Sequence, residues 1–188
     1  MKTSLLISLF LIYFAANANR SNPFKKIDSL DCLQIEGKIL NNDDDLYGEC
    51  VVDLIEANEI VQSVVLKEGK KQFKFILHKN SRYGIRIQKK GYINKIISID
   101  TDMEGQSENF GLYRFMFETT LISEAVRKRM NEDIIDFPIA IIRFDHEEQT
   151  FSYDKKYTSY IKRELYNTSG NRSHKENHIL PELAAVEN

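Results

Sequence analysis

Much of what announces chemistry in a sequence is missing from this chain. Among 188 residues there are only two cysteines, Cys32 and Cys50, so at most one disulfide can form within it. No stretch after residue 18 is apolar enough to cross a bilayer, so no transmembrane segment is expected in the mature chain. Neither sign of charge dominates, and nothing pulls the protein towards nucleic acid. There is no Gly-x-Ser-x-Gly turn, no phosphate-cradling glycine loop and no His-Glu-x-x-His pair. Together these absences point away from an enzyme, and no cofactor or metal is expected.

The first eighteen residues are the exception to that reticence. Lys2 supplies a positive end, Leu5 to Phe14 an apolar run, and Ala16-Asn17-Ala18 a small-x-small site, the three parts of a secretory signal. The run is about ten to twelve residues where a spanning helix needs roughly 17–25, which favours cleavage between Ala18 and Asn19 over an uncleaved anchor. A lipid anchor needs a cysteine just after the run, and Cys32 lies fourteen positions beyond the expected cut. Without Lys2, 25 Lys and Arg stand against 28 Asp and Glu, a formal charge of −3. The basic groups Lys70-Lys71, Arg86 to Lys90 and Arg127 to Arg129 read as solvated faces beside acidic neighbours.

From Leu33 to Asp100 the chain alternates apolar and polar residues in six short stretches. Leu33, Ile35, Gly37 and Ile39 share one side, then Cys50, Val52 and Leu54, the period of a strand with one buried face. Ile60 to Leu66 follows the turn Glu56-Ala57-Asn58-Glu59. Phe73, Phe75 and Leu77 come next, then Tyr83, Ile85 and Ile87, then Ile97 and Ile99. Six strands about ten residues apart predict an antiparallel sandwich or barrel, with no room for the helical crossovers of a parallel sheet. If the first two strands form a hairpin about Asn41 to Gly48, Cys50 lies opposite Ile39. Cys32 is then roughly 23 Å further out at about 3.3 Å per residue, too far to bridge. Opposite sheets would weaken that objection. Free, buried thiols are the expectation.

Phe110 to Glu118 is a further alternating stretch. Its Tyr113, Phe115 and Phe117 form a candidate partner or ligand face, weighed against the commoner role of such residues in a core. Ile122, Ala125, Val126 and Met130 recur at helical spacing, and Phe137-Pro138 ends that connection. Ile139 to Phe144 and Thr150 to Tyr153 predict a hairpin. Asp154 is placed to cap a helix with Tyr157, Tyr160, Ile161 and Leu165 on one face. Beyond Tyr166 the polar composition predicts a mobile tail.

The remaining chemical candidates are weak. Asp43-Asp44-Asp45 lacks the alternating ligands and fixed glycine of a calcium loop. His146-Glu147-Glu148 lacks zinc spacing, and His174 and His178, four apart, lie in a stretch with no reason to stay helical. His78 stands alone at a strand end. Asn167-Thr168-Ser169 and Asn171-Arg172-Ser173 fit the glycosylation pattern, which counts only in a eukaryotic secretory pathway.

Leu33-Gln-Ile-Glu-Gly-Lys-Ile, then Gly48 to Leu54, Phe73-Lys-Phe, and Tyr83-Gly-Ile-Arg-Ile-Gln-Lys-Lys-Gly-Tyr92 resemble, in that order, the carboxypeptidase regulatory-like domain. That family is a transthyretin-like, seven-stranded β-sandwich without catalytic activity. Leu46-Tyr47-Gly48-Glu49-Cys50 lacks the family's loop proline, and Gly69 lacks the usual Asp or Asn before it. The segment from Pro138 to Phe144, with Phe151 to Leu165, looks like an extension that follows this sandwich in some exported bacterial proteins.

The leader and the polar end give residues 1–18 as signal peptide, 19–31 as linker and 167–188 as tail, while the resemblance implies 32–101 as mainly β, antiparallel, transthyretin-like or Ig-like sandwich and 102–166 as α+β extension with a C-terminal helix. It implies export to the periplasm or outer membrane of a Gram-negative bacterium. There the protein would act as a non-catalytic module through contacts with another envelope protein. The alternative is a carbohydrate- or peptide-binding accessory protein.

Overall fold

The computed structural model describes residues 30–40, 48–67, 69–104 and 111–166. The expected signal peptide with its Ala18/Asn19 junction, the Asp43 to Asp45 run, His174, His178, Asn167, Asn171 and the C-terminal tail lie outside the described residues.

The fold is mainly β. Its strands are β1 (Asp31–Ile39), β2 (Cys50–Glu56), β3 (Glu59–Leu66), β4 (Gln72–His78), β5 (Arg82–Lys89), β6 (Tyr92–Ile93), β7 (Lys95–Asp100), β8 (Tyr113–Thr119), β9 (Ile122–Ser123), β10 (Ala140–Asp145) and β11 (Thr150–Tyr153). Among the described residues the α-helix α1 (Lys155–Leu165) follows them. The strands form a three-stranded sheet ordered β4-β1-β8, a six-stranded sheet ordered β11-β10-β7-β5-β2-β3, and the ribbon β6-β9. All six stretches read from residue 33 to 100 are strands, with β6 added at the Lys89-Lys90-Gly91-Tyr92 corner. Gly91 there has φ +84°, which a residue with a Cβ rarely adopts.

The expectation of a wholly antiparallel fold is corrected. The sheets are mixed, because β1 runs parallel to β8 and β7 parallel to β10. The crossovers these pairs require are supplied by the fold itself, since β2 to β7 intervene in the first case and residues 101–139 in the second. Of the two arrangements left open for β1 and β2, a hairpin or opposite sheets, the second is found. Strand β1 is flanked on both sides by β4 and β8, so it has no edge to offer, and Cys50 pairs instead with Leu66 and Lys89. Cys32 and Cys50 therefore lie in different sheets, both buried and free.

The two larger sheets enclose one core. Leu33, Ile35 and Ile39 of β1, Ile85 and Ile87 of β5, and Ile97 and Ile99 of β7 are wholly buried, with Phe144 and Phe151 from the hairpin β10–β11 in the same cluster. Each such side chain contributes roughly 1.5–3 kcal/mol on burial. Residue 101 is thus no boundary between cores, since β8, β10 and β11 complete sheets begun before it. At that junction Thr101 is fully buried. Its hydroxyl lies 2.7 Å and 2.8 Å from the His78 and Ser81 carbonyls and accepts from the Ser81 N–H at 3.0 Å. This pins the connection by which the chain leaves one sheet after β4 for the other at β5.

Two helical expectations are revised. Ile122-Ser123 is taken up by pairing with Tyr92-Ile93, leaving only a 3-10 helix, Glu124–Arg129, capped by Ser123. In α1 the Asp154 cap holds, its carboxylate accepting from the Tyr157 N–H at 2.9 Å. The buried stripe is Thr158, Ile161 and Leu165, however, and Tyr160 is 47% exposed. The three-, four- and seven-residue steps from Thr158 leave Tyr160 off that stripe. A second, smaller cluster of Ile93, Met130, Ile135 and Leu165 lies beneath α1.

Gly37 is a tight point of the larger core. Its partners across the two flanking strands are Phe73 and Phe117, whose rings meet at 5.9 Å with 72° between planes. A Cβ on residue 37 would overlap the Phe73 ring and lie 2.8 Å from Cζ of Phe117. Gly37→Ala is expected to destabilise the protein by about 1–3 kcal/mol, the usual cost of forcing extra volume into a packed core. Urea denaturation measures it, and an unchanged midpoint would refute this account of the site.

Candidate functional site

The expected aromatic face does not reach the surface. Phe115 and Phe117 are 7% and 1% exposed. Tyr113, half-buried, packs edge-on against Phe144 and Phe151 at 5.4 Å and 5.6 Å. This strip seals the larger core where β8 meets the hairpin β10–β11, and it presents no open rings to a ligand.

The other residues singled out from sequence are dispersed. His78 is exposed, 3.3 Å from the Asp31 carboxylate. His146 is exposed in the β10–β11 turn with its ring 5.2 Å from that of Phe144. Burial pushes the Cys32 thiol up to about 11, helped by the neighbouring Asp31 charge, and burial also raises Cys50. Neither thiol is poised as a nucleophile, since the thiolate is the reactive form. Among the described residues no three His, Cys, Asp or Glu side chains come together as a metal site. No helix there is long and apolar enough to cross a membrane.

Two lysines sit in unusual places. Lys89 is buried, and its ammonium lies 5.6 Å from the centre of the Tyr92 ring rather than on a hydrogen-bond acceptor. Lys95 is only 5% exposed and donates to Thr119 Oγ1 at 3.3 Å. It borders a cavity of about 10 Å³ lined by apolar side chains including Met130, Ile135, Ile161 and Leu165. That volume is about one water molecule, far below the roughly 300–1,000 Å³ of a small-molecule site. Burial, with the positive charge of Lys162 adding to it, lowers Lys95 from 10.5 to about 8.

The feature best placed to meet another molecule is β3. It is the last strand of the six-stranded sheet, and six of its eight residues are exposed. Ile60, Val61 and Val65 are 55%, 51% and 44% exposed. An outermost strand carries backbone N–H and C=O groups that no neighbour has taken up, and proteins commonly blunt such edges with charge, proline or short length. Strand β3 has eight residues, no proline and a single charge, Glu59, at its start; its one protection is the extra residue Val61, which interrupts its register with β2. The other outer strands differ. Strand β4 exposes Gln72, Lys74 and His78, β8 exposes Arg114 and Met116, and β11 has four residues.

This edge is nonetheless held firmly. The turn Ala57-Asn58 has φ of +49° and +67°, the backbone of a type I′ hairpin. Ser63 donates to the buried Asp53 carboxylate at 2.8 Å, and Arg86 of β5 reaches the other carboxylate oxygen at 2.9 Å. This ladder crosses three strands and fixes the register of β3. In sequence Ile60-Val61 and Val64-Val65-Leu66 break the alternation of the neighbouring strands, and that break was the readable signal. Of these apolar residues only Leu66 is buried.

No family model, curated protein or solved structure matches the chain.

The protonation of Lys95 sets a pH dependence. Its proton is held less tightly in the folded chain, at about 8, than in the unfolded one at 10.5. The folded state is therefore penalised below pH 8, and the penalty fades as pH rises through 8 to 10.5. Lys95→Met is expected to exceed the parent in stability at pH 7 by on the order of 3 kcal/mol, with the gap closing by pH 10.5. Denaturant titrations across that range check it, and a gap independent of pH would overturn it.

Proposed function

We propose that the protein is a non-catalytic, exported module of a Gram-negative cell envelope that acts through protein–protein contacts. Its partner adds a strand to β3. The observation that carries this reading is the apolar, exposed edge of β3. Strand addition takes its affinity from main-chain hydrogen bonds and its selectivity from alternate side chains, and it needs no catalytic group.

Export rests on the Met1 to Ala18 leader. The assignment to a transthyretin-like, carboxypeptidase regulatory-like sandwich rests on the order of residues from Leu33 to Tyr92, and the two sheets around one core are compatible with it. The alternative as a carbohydrate-binding accessory protein loses its main support with the burial of Phe115 and Phe117. A peptide-binding role would use the same edge and differs only in the length of the partner.

A photo-reactive amino acid placed at Val61 or Val65 in cells exporting the full chain tests the proposal. The expected result is one discrete cross-linked protein species. The same probe at Glu147, exposed in the β10–β11 turn, should not give it. No adduct, or the same adduct from all three positions, would overturn the reading.

A further inference from the structure

We infer that Lys95 is a carbon dioxide site: its side-chain amine takes up CO2 as a carbamate, held by the Lys162 ammonium and the Thr119 hydroxyl. The inference uses no part of the β3 edge and stands or falls separately from the function proposed above.

Three observations select this chemistry. The first is the surroundings of the amine. Lys95 lies opposite the wholly buried Ile87 of β5, so its side chain is on the core side of the sheet. Thr119 Oγ1, 3.3 Å away, is its one hydrogen-bond partner among the described residues. The charge that acts on it there is a second cation, Lys162 of α1. Burial and that charge loosen its proton, which is lost at about 8. Roughly a tenth of the amine is then neutral at pH 7, against well under a thousandth for an ordinary lysine. Only the neutral amine has the lone pair that attacks carbon.

The second is the space. Lys95 borders the cavity of about 10 Å³ walled by Ile93, Met130, Ile161 and Leu165 among others, room for about one water molecule. The larger carbonyl compounds that lysines capture as Schiff bases do not fit. Bicarbonate would have to shed its hydration among apolar groups. Carbon dioxide is uncharged, apolar and a slender rod of three atoms.

The third is the sign of the product's charge. A small aldehyde would leave a protonated imine, again a cation beside a cation. A carbamate is an anion. Ile161 lines the cavity and Lys162 follows it on α1, so the charge that opposes the ammonium attracts the carbamate. The Thr119 hydroxyl, whose donation to the Thr120 carbonyl is long at 3.4 Å, turns to donate to a carbamate oxygen.

The step balances without a redox partner. The Nζ lone pair bonds to the carbon of CO2, one C=O electron pair moves onto oxygen, and a proton leaves Nζ for solvent. At fixed dissolved CO2, uptake rises as pH climbs through about 8, where ordinary lysines are still protonated.

The test uses the full chain equilibrated with carbon-13 dioxide near neutral pH. NMR should show a carbamate resonance that Lys95→Met lacks. The α-amine also titrates in this range, and its signal should persist in both, so the difference isolates Lys95. Trapping with an alkyl oxonium reagent and peptide mass mapping should place the adduct on Lys95 about tenfold above any other lysine. Lys162→Met should lower that occupancy by about threefold or more, because the product loses its counter-charge.

Stability supplies a second readout. The parent's urea midpoint should rise with dissolved CO2 at constant pH and ionic strength, since uptake by the folded state alone stabilises it. Lys95→Met should not respond. An adduct spread evenly over the lysines or missing from Lys95 would overturn the inference. So would undiminished occupancy in Lys162→Met, or a midpoint that moves equally in parent and Lys95→Met. None of these results bears on the cross-link expected from Val61, so the two proposals fail separately.

Discussion

At the centre of the three-stranded sheet, Gly37 leaves a gap that Phe73 and Phe117 fill from the strands on either side. The rings meet edge to face, an arrangement favoured by the aromatic quadrupole. Both neighbours of β1 are committed by this contact, one antiparallel and one parallel. With both its edges occupied, β1 cannot pair with the next strand in sequence. Strand β2 must join the opposite sheet, and β3, turning tightly about Ala57-Asn58, follows it to the rim. The exposed edge on which the functional reading rests is therefore a consequence of how the opposite sheet is closed.

The polar groups drawn into this fold show where packing outweighed solvation. Asp53 is buried on the outer side of its sheet but is satisfied twice, by Ser63 and by Arg86. A carboxylate so held helps define strand register. Lys95 is less well matched, since one hydroxyl and a nearby cation do not replace water. Its cost is tolerable only because the surrounding apolar groups beneath α1 bury enough surface to exceed it. Lys89 relies on the Tyr92 ring, a weaker substitute for an acceptor.

Strand positions and inward faces were legible because a period of two is imposed by burial on one side and needs no knowledge of the partner. Leu33, Ile35 and Ile39 are wholly buried where alternation put them. Pairing was not legible. Nothing local to β1 records that β8, some eighty residues away, will lie parallel to it. The crossovers were missed because they consist of other strands rather than helices. At Ile122-Ser123, helical spacing lost to a two-residue pairing with Tyr92-Ile93. Tyr113, Phe115 and Phe117 illustrate the same limit for the site. Their alternation showed that they share a side, but only the long-range placement of Phe144 and Phe151 showed that the side faces inward.

An exposed apolar edge is usually a hazard, because a strand that can add one neighbour can template many. Several features here restrict growth. The sheet has one long bare edge, since its opposite end is the four-residue β11, whose Phe151 is packed against Tyr113. The register shift between Leu54 and Ile55 places an extra residue in β3, and such a bulge increases local twist, which disfavours flat stacking. The opposite end of the sheet, β11, is too short to continue a ladder of β3's length.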